Sequence, residues 1–290
     1  MFNFPEVSRV SVPATRRFPG KFAVSVRVQP GDDLQGLREF YQERLEEFEI
    51  TGKVITDLEF FQSLAGTPVR FLAADVDLFQ TSTLIETLSL LKAVVVVEPE
   101  ANLIRKINFL TSFDLEVCID SASPPRADRI LKRALDFYVH SPMLNMPIEP
   151  FHSLLCTISQ GLNLTLWDIA GERVAYNFFV SDGGEVSLSR RWHARGFNYG
   201  SMNEPGDNLK ETDLFRRLSS FRFALFQSCD LCVFCAHLDL CGGFLRALEA
   251  NWPCDSWRQV FHTLCQEAKN AKELLQKIDG FAKSSFCLTI

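Results

Sequence analysis

The chain has 290 residues, 47% hydrophobic and 23% charged, the balance of an ordinary globular protein able to bury one large core or two modest ones. Its net charge of -6, with no basic run longer than a pair, argues against a nucleic-acid surface, which needs concentrated Lys and Arg. Residues 1–20 hold no apolar signal core, and the longest apolar run, Ala93 to Val97, is too short to cross a bilayer, so a cytoplasmic protein without membrane contact is expected.

From Lys21 to His140 short apolar runs alternate with longer amphipathic ones. Phe22 to Val28 alternates with period two and reads as a strand. Leu34 to Phe48 reads as a helix with Leu37, Phe40, Tyr41, Leu45 and Phe48 on one face. A helix follows over Asp57 to Leu64, a strand over Val69 to Ala73 and a helix over Ser82 to Leu91. The β-branched run Ala93 to Val97, lacking polar alternation, predicts a strand covered on both faces. Pro99 suits the first turn of a helix to Leu110; Leu115 to Ile119 is a strand, and Pro125 opens a helix to Tyr138. Strand–helix alternation predicts a parallel sheet of the α/β class. About four to six such units fit an open or partial, truncated β/α barrel, too short for a complete eight-stranded one.

Ser141 to Pro147 breaks the pattern and predicts a linker, which divides the chain into a front part, 1–146, and a smaller C-terminal domain, 147–290. There Phe151 to Gln160 reads as a helix. Leu164 to Trp167, Val174 to Val180 and Glu185 to Ser189 read as antiparallel strands, with Asp182-Gly183-Gly184 as a hairpin turn. Leu209 to Leu218 and Trp257 to Ile278 read as helices.

Four of the nine cysteines crowd into Cys229-Asp-Leu-Cys232-Val-Phe-Cys235-Ala-His-Leu-Asp-Leu-Cys241, followed by Gly242-Gly243. In a reducing compartment such thiols serve as free thiols or metal ligands more often than as disulfides. A loop can turn several thiolates onto one soft centre, and paired glycines let the backbone turn tightly beside it. An iron–sulfur cluster and tetrahedral zinc both suit this spacing; buried thiols that bind nothing are the third reading.

Cys232-x2-Cys235-x5-Cys241-Gly-Gly resembles the signature of the SPASM domain, the C-terminal extension of radical-SAM enzymes that mature peptides and peptide-derived cofactors. Pro147-Ile-Glu-Pro-Phe151 is similar to the segment leading into that extension. Asp182 to Ser189 and then Tyr199-Gly200-Ser-Met resemble its hairpin and following turn, and Cys254-Asp-Ser-Trp its closing cysteine, so the resemblance spans roughly residues 147–261. It implies one four-iron cluster held by Cys232, Cys235, Cys241 and Cys254, with Cys229 as an alternative fourth ligand. The family's other auxiliary site looks absent, since no cysteine lies between Gly161 and Ser228. The Cys-x3-Cys-x2-Cys motif that would hold the S-adenosylmethionine cluster is also missing, because no cysteine precedes Cys118 and the segment after Val28 reads Gln29-Pro-Gly-Asp-Asp-Leu. The resemblance therefore implies a degenerate, pseudo-radical-SAM chain that binds no S-adenosylmethionine. Its expected role is that of a non-catalytic accessory presenting a precursor peptide, or serving a partner maturase. A metal-dependent peptide-modifying enzyme and a structural zinc protein are the rivals.

Arg190, Arg191, His193 and Arg195 could form a basic patch for a peptide carboxylate, or simply a solvated hairpin end. Asp75 and Asp77, past a strand end, could hold a divalent ion, or could cap and solvate, as Asp120 could. His237 could replace one thiolate. Cys118 and Cys156 read as core residues. The terminal Cys287-Leu-Thr-Ile290 fits a prenylation signal poorly.

Overall fold

The structure, a computed structural model, describes residues 9–14, 23–29, 32–51, 58–73, 82–121, 129–142, 144–174, 176–201, 212–221, 230–247 and 254–286. Asp75, Asp77, Cys229 and Cys287 lie outside them. Seven strands succeed one another in the sheet in chain order: β1 (Arg9–Pro13), β2 (Ala23–Arg27), β3 (Leu45–Thr51), β4 (Val69–Leu72), β5 (Val94–Val97), β6 (Glu116–Ile119) and β7 (Ile148–Glu149), each parallel to the next. The helices between them are α1 (Leu34–Tyr41), α2 (Leu58–Ser63), α3 (Ser82–Leu90), α4 (Leu103–Thr111) and α5 (Ile130–His140). Right-handed crossovers that always step in the same direction lay their helices on one face of the sheet.

Side-chain burial follows that asymmetry. Phe48, Ile50, Val69, Phe71, Val95, Val97, Val117 and Ile119 are buried on one face. The neighbours of opposite parity, Arg70, Leu72, Val94, Val96, Cys118 and Glu149, are only partly buried. The valine run is thus not covered equally on both faces: Val95 and Val97 are buried, whereas Val94 and Val96 are only partly so.

The second face carries Leu72, Val94 and Val96 but is polar at β2 to β4 and at the β6–β7 pair. Register sets Ser25 beside Glu47, Arg27 beside Glu49, Glu49 beside Arg70, and Cys118 beside Glu149. Ser25 Oγ donates to Glu47 Oε1 at 3.3 Å, and Arg70 Nε to the same carboxylate at 3.0 Å. Arg27 donates to Ser11 Oγ at 3.2 Å and to the Val180 carbonyl, with its guanidinium 4.2 Å from the Phe179 ring centre.

Helix α1 stops at Tyr41, not Phe48. Gln42 takes a left-handed φ of 48°, a 3-10 turn follows, and Leu45 begins β3. Phe48 and Ile50 alternate there with Glu47 and Glu49, the period of a strand with two unlike faces. β1 pairs with β2 on one side and, also parallel, with β8 (Asn177–Val180) on the other. β8 continues antiparallel into β9 (Glu185–Ser187) and β10 (Gly200–Ser201), giving the order β10-β9-β8-β1-β2-β3-β4-β5-β6-β7. The predicted hairpin exists, and its first strand extends the main sheet.

Helix α6 spans Phe151–Gln160 as expected. The predicted strand at Leu164 to Trp167 is instead a short helix, α7 (Leu166–Ile169). Thr165 and Asp168 form a capping box there, with Asp168 Oδ2 accepting from Thr165 N at 2.8 Å. The remaining helices are α8 (Arg190–Ala194), α9 (Asp213–Ser219), α10 (Asp230–Val233), α11 (Leu238–Cys241) and α12 (Asp255–Phe286). α12 packs on α5 and α6. Trp257, Val260, Phe261, Leu264 and Ala268 form its buried stripe, at helical spacing. Among the described residues no helix is long and apolar enough to cross a membrane.

Candidate metal centre

The cysteine segment folds as two single helical turns joined by tight backbone turns. α10 carries Cys232; Cys235 N donates to Cys232 O at 3.1 Å, and Leu238 N to Cys235 O at 3.1 Å, where α11 begins. α11 ends at Cys241, and Gly242 and Gly243 follow with φ of 60° and 78°. Two successive left-handed residues favour glycine on conformational grounds alone. Contact adds a second reason at Gly242, where a Cβ would lie 2.9 Å from Trp167 Cδ1.

An aromatic bracket holds that turn. Trp167 on α7 donates from Nε1 to the Gly242 carbonyl at 3.0 Å, stacks on Trp192 at 6.5 Å and meets Phe244 edge-on at 5.3 Å. Arg191 lies 4.2 Å from the Phe244 ring centre. Its guanidinium binds Glu172 through two nitrogens, at 2.8 Å and 2.6 Å, and Glu172 also accepts from Trp192 Nε1 at 3.1 Å and Ser189 Oγ at 2.6 Å. A buried carboxylate is thus satisfied four times over, consistent with the high cost of leaving such a charge unpaired.

Cys232, Cys235, Cys241 and Cys254 line one cavity of about 290 Å³. Cys254 immediately precedes α12, and its carbonyl accepts from Arg258 N at 2.8 Å in the first turn of that helix. Leu238, Leu245 and Phe261 supply apolar wall; Arg246 and Arg258 add two cations and Asp255 an anion. Arg246 Nε donates to Cys254 Sγ at 3.4 Å. The seven described cysteines are free thiols. Burial pushes the Cys241 thiol up to about 11, with the neighbouring Cys254 and Cys235 adding to the rise against backbone hydrogen bonds. Among the described residues, no three or more His, Cys, Asp or Glu side chains form a group drawn together as for a single bound ion.

The other sequence candidates are dispersed. Arg190 pairs with Glu49 on β3, whereas Arg191, 16% exposed at its side chain, is committed to Glu172. His193 Nδ1 is 3.6 Å from Glu185 Oε2, and Arg195 is exposed at the end of α8. These four residues therefore serve at least three different partners. His237 faces Phe261 and His262 at ring distances of 5.7 Å and 6.4 Å, and burial, then His262 and Arg258, lower its pKa. Cys118 is on the polar sheet face near Arg70; burial raises its thiol to about 11, against the Arg70 charge. Cys156, partly buried on α6, has its sulfur 3.7 Å from His152 Nε2. Neither cysteine is the apolar core residue expected. Asp120 N donates to Val97 O at 2.8 Å just beyond β6.

Sequence reading missed Glu172, Trp167, Arg246 and Arg258. The lone Glu172 and the two arginines carry no motif, and only the fold brings them to the cysteines. No known protein family matches the chain, and no curated protein matches it either.

Proposed function

We propose that this protein holds one iron–sulfur cluster, of the four-iron type, on Cys232, Cys235, Cys241 and Cys254, and acts as a non-catalytic accessory in the maturation of a ribosomal peptide or peptide-derived cofactor. That those four residues all line one cavity carries the reading. Cys232, Cys235 and Cys241 stand out by their spacing, and Cys254, twelve residues beyond Cys241, is added by the resemblance. A cluster is preferred over zinc because the cysteine spacing resembles a cluster-binding signature. Such a group, when bound, would brace the loop and could pass single electrons.

The parallel strands in chain order and the hairpin that joins them support a degenerate partial β/α barrel followed by a SPASM-like domain. The non-catalytic role rests on the absence of cysteine before Cys118, which leaves nothing to ligate an S-adenosylmethionine-cleaving cluster. The partner in this reading is a precursor peptide or a complete maturase in the cytoplasm. An extended peptide could add to the sheet at β10, its terminal strand.

Anaerobic purification tests the cluster: about four iron and four sulfide per chain are expected, with a brown absorbance. Each of Cys232→Ala, Cys235→Ala, Cys241→Ala and Cys254→Ala should abolish loading. A colourless protein with about one zinc would replace the reading with a structural zinc site. Incubation with S-adenosylmethionine and dithionite should yield no 5′-deoxyadenosine; its formation would end the non-catalytic assignment.

A further inference from the structure

We infer that Arg246 is a positioning residue for the centre at the four-cysteine cavity, donating an N–H to the Cys254 sulfur and biasing the centre toward its reduced form. The inference rests on the cluster reading above and extends it to a residue with no motif.

Arg246 reaches the sulfur because of how the chain turns. The two left-handed glycines launch the 3-10 turn Phe244–Arg246, in which Arg246 N donates to Gly243 O at 3.1 Å. Phe244 and Leu245 are buried, and Phe244 lies against Trp167 and Arg191, so the base of the Arg246 side chain is held by the bracket. From there Nε comes within 3.4 Å of Cys254 Sγ.

Charge points the same way. Four thiolates around an iron–sulfur core leave a net negative centre, and adding an electron makes it more negative. A donor or cation at a ligating sulfur stabilises the reduced state more than the oxidised one and raises the potential. Arg258 is the other cation at the cavity, but its side chain is 58% exposed and stands 3.7 Å from Asp255, so solvent and that carboxylate offset it. Arg246 is the one whose N–H meets a cysteine sulfur.

The couple is a one-electron reduction with dithionite as the electron source, followed by electron paramagnetic resonance during a redox titration of the anaerobically purified full chain. Arg246→Leu should retain iron and sulfide yet move the midpoint negative by about tenfold in the reduction equilibrium, about 59 mV for one electron. Arg246→Lys keeps the charge but loses the directed Nε donor and should shift less. Arg258→Leu should leave the midpoint near wild type. Loaded Arg246→Leu with an unchanged midpoint would overturn the inference while leaving the cluster reading intact. Loss of iron from both Arg246 variants would also overturn it, making Arg246 a residue of folding alone. Wild-type protein free of iron and sulfide would instead overturn the cluster reading itself.

Discussion

Gly242 meets two demands that no other residue satisfies together. Its φ of 60° disfavours any side chain, and Trp167 occupies the space a methyl group would need, at 2.9 Å. Gly242→Ala should therefore lower stability by more than about 1 kcal/mol, measured by urea unfolding, and, on the proposed cluster reading, reduce iron loading by displacing Cys241. Gly196, also at positive φ but with nothing within 4 Å of its added Cβ, provides the comparison: Gly196→Ala should show the backbone penalty without the loading defect. The glycine pair was legible from sequence as a tight turn. The indole that makes Gly242 irreplaceable was not, because Trp167 lies 75 residues away along the chain.

Among elements, the least legible boundary was that between α1 and β3. Leu37, Tyr41, Leu45 and Phe48 satisfy a helical period, so the pattern extends the helix through Phe48. The chain instead turns at Gln42, and Glu47 and Glu49 join the polar sheet face opposite Phe48 and Ile50. The alternation in Glu-Phe-Glu-Ile carried the strand signal. Its weight comes from the polar second face beside it, where Ser25 and Arg70 donate to Glu47. The small helices of the C-terminal half depend on one another more than on their own propensity, being too short to persist alone. Glu172 joins α8 to the turn after Cys241 through Arg191, Trp192 and Ser189. Glu172→Ala strands a guanidinium only 16% exposed and should cost about 3–5 kcal/mol in urea unfolding. A stability near wild type would show that Arg191 finds another partner.

For the molecule as a whole, the metal-free protein should lose stability with alkali. Cys118 and Cys241 have thiols raised by burial from the ordinary 9.0 to about 11. Between those values the unfolded chain releases protons that the folded chain retains, so unfolding gains free energy as pH rises. Their contribution is complete below pH 9 and is lost by about pH 11. Urea midpoints should fall across that window, and fall less in Cys118→Ala measured against its own value at pH 8. Substitution of Cys118 that left the pH dependence unchanged would exclude this thiol as a source.

The sequence by itself determined the α/β class, the strands β4 to β6, helix α6 and the crowding of Cys232, Cys235 and Cys241 into one short segment. These signals are local: period, turn residues and cysteine spacing are readable within a dozen positions. Tertiary structure alone decided that β8 lies beside β1, that one face of the sheet is polar at β2 to β4, and that Cys254, Arg246 and the Glu172–Arg191–Trp167 bracket meet the cysteine loop. Those facts depend on burial and pairing between segments far apart in the chain, where the free energy comes from contacts that no short stretch contains.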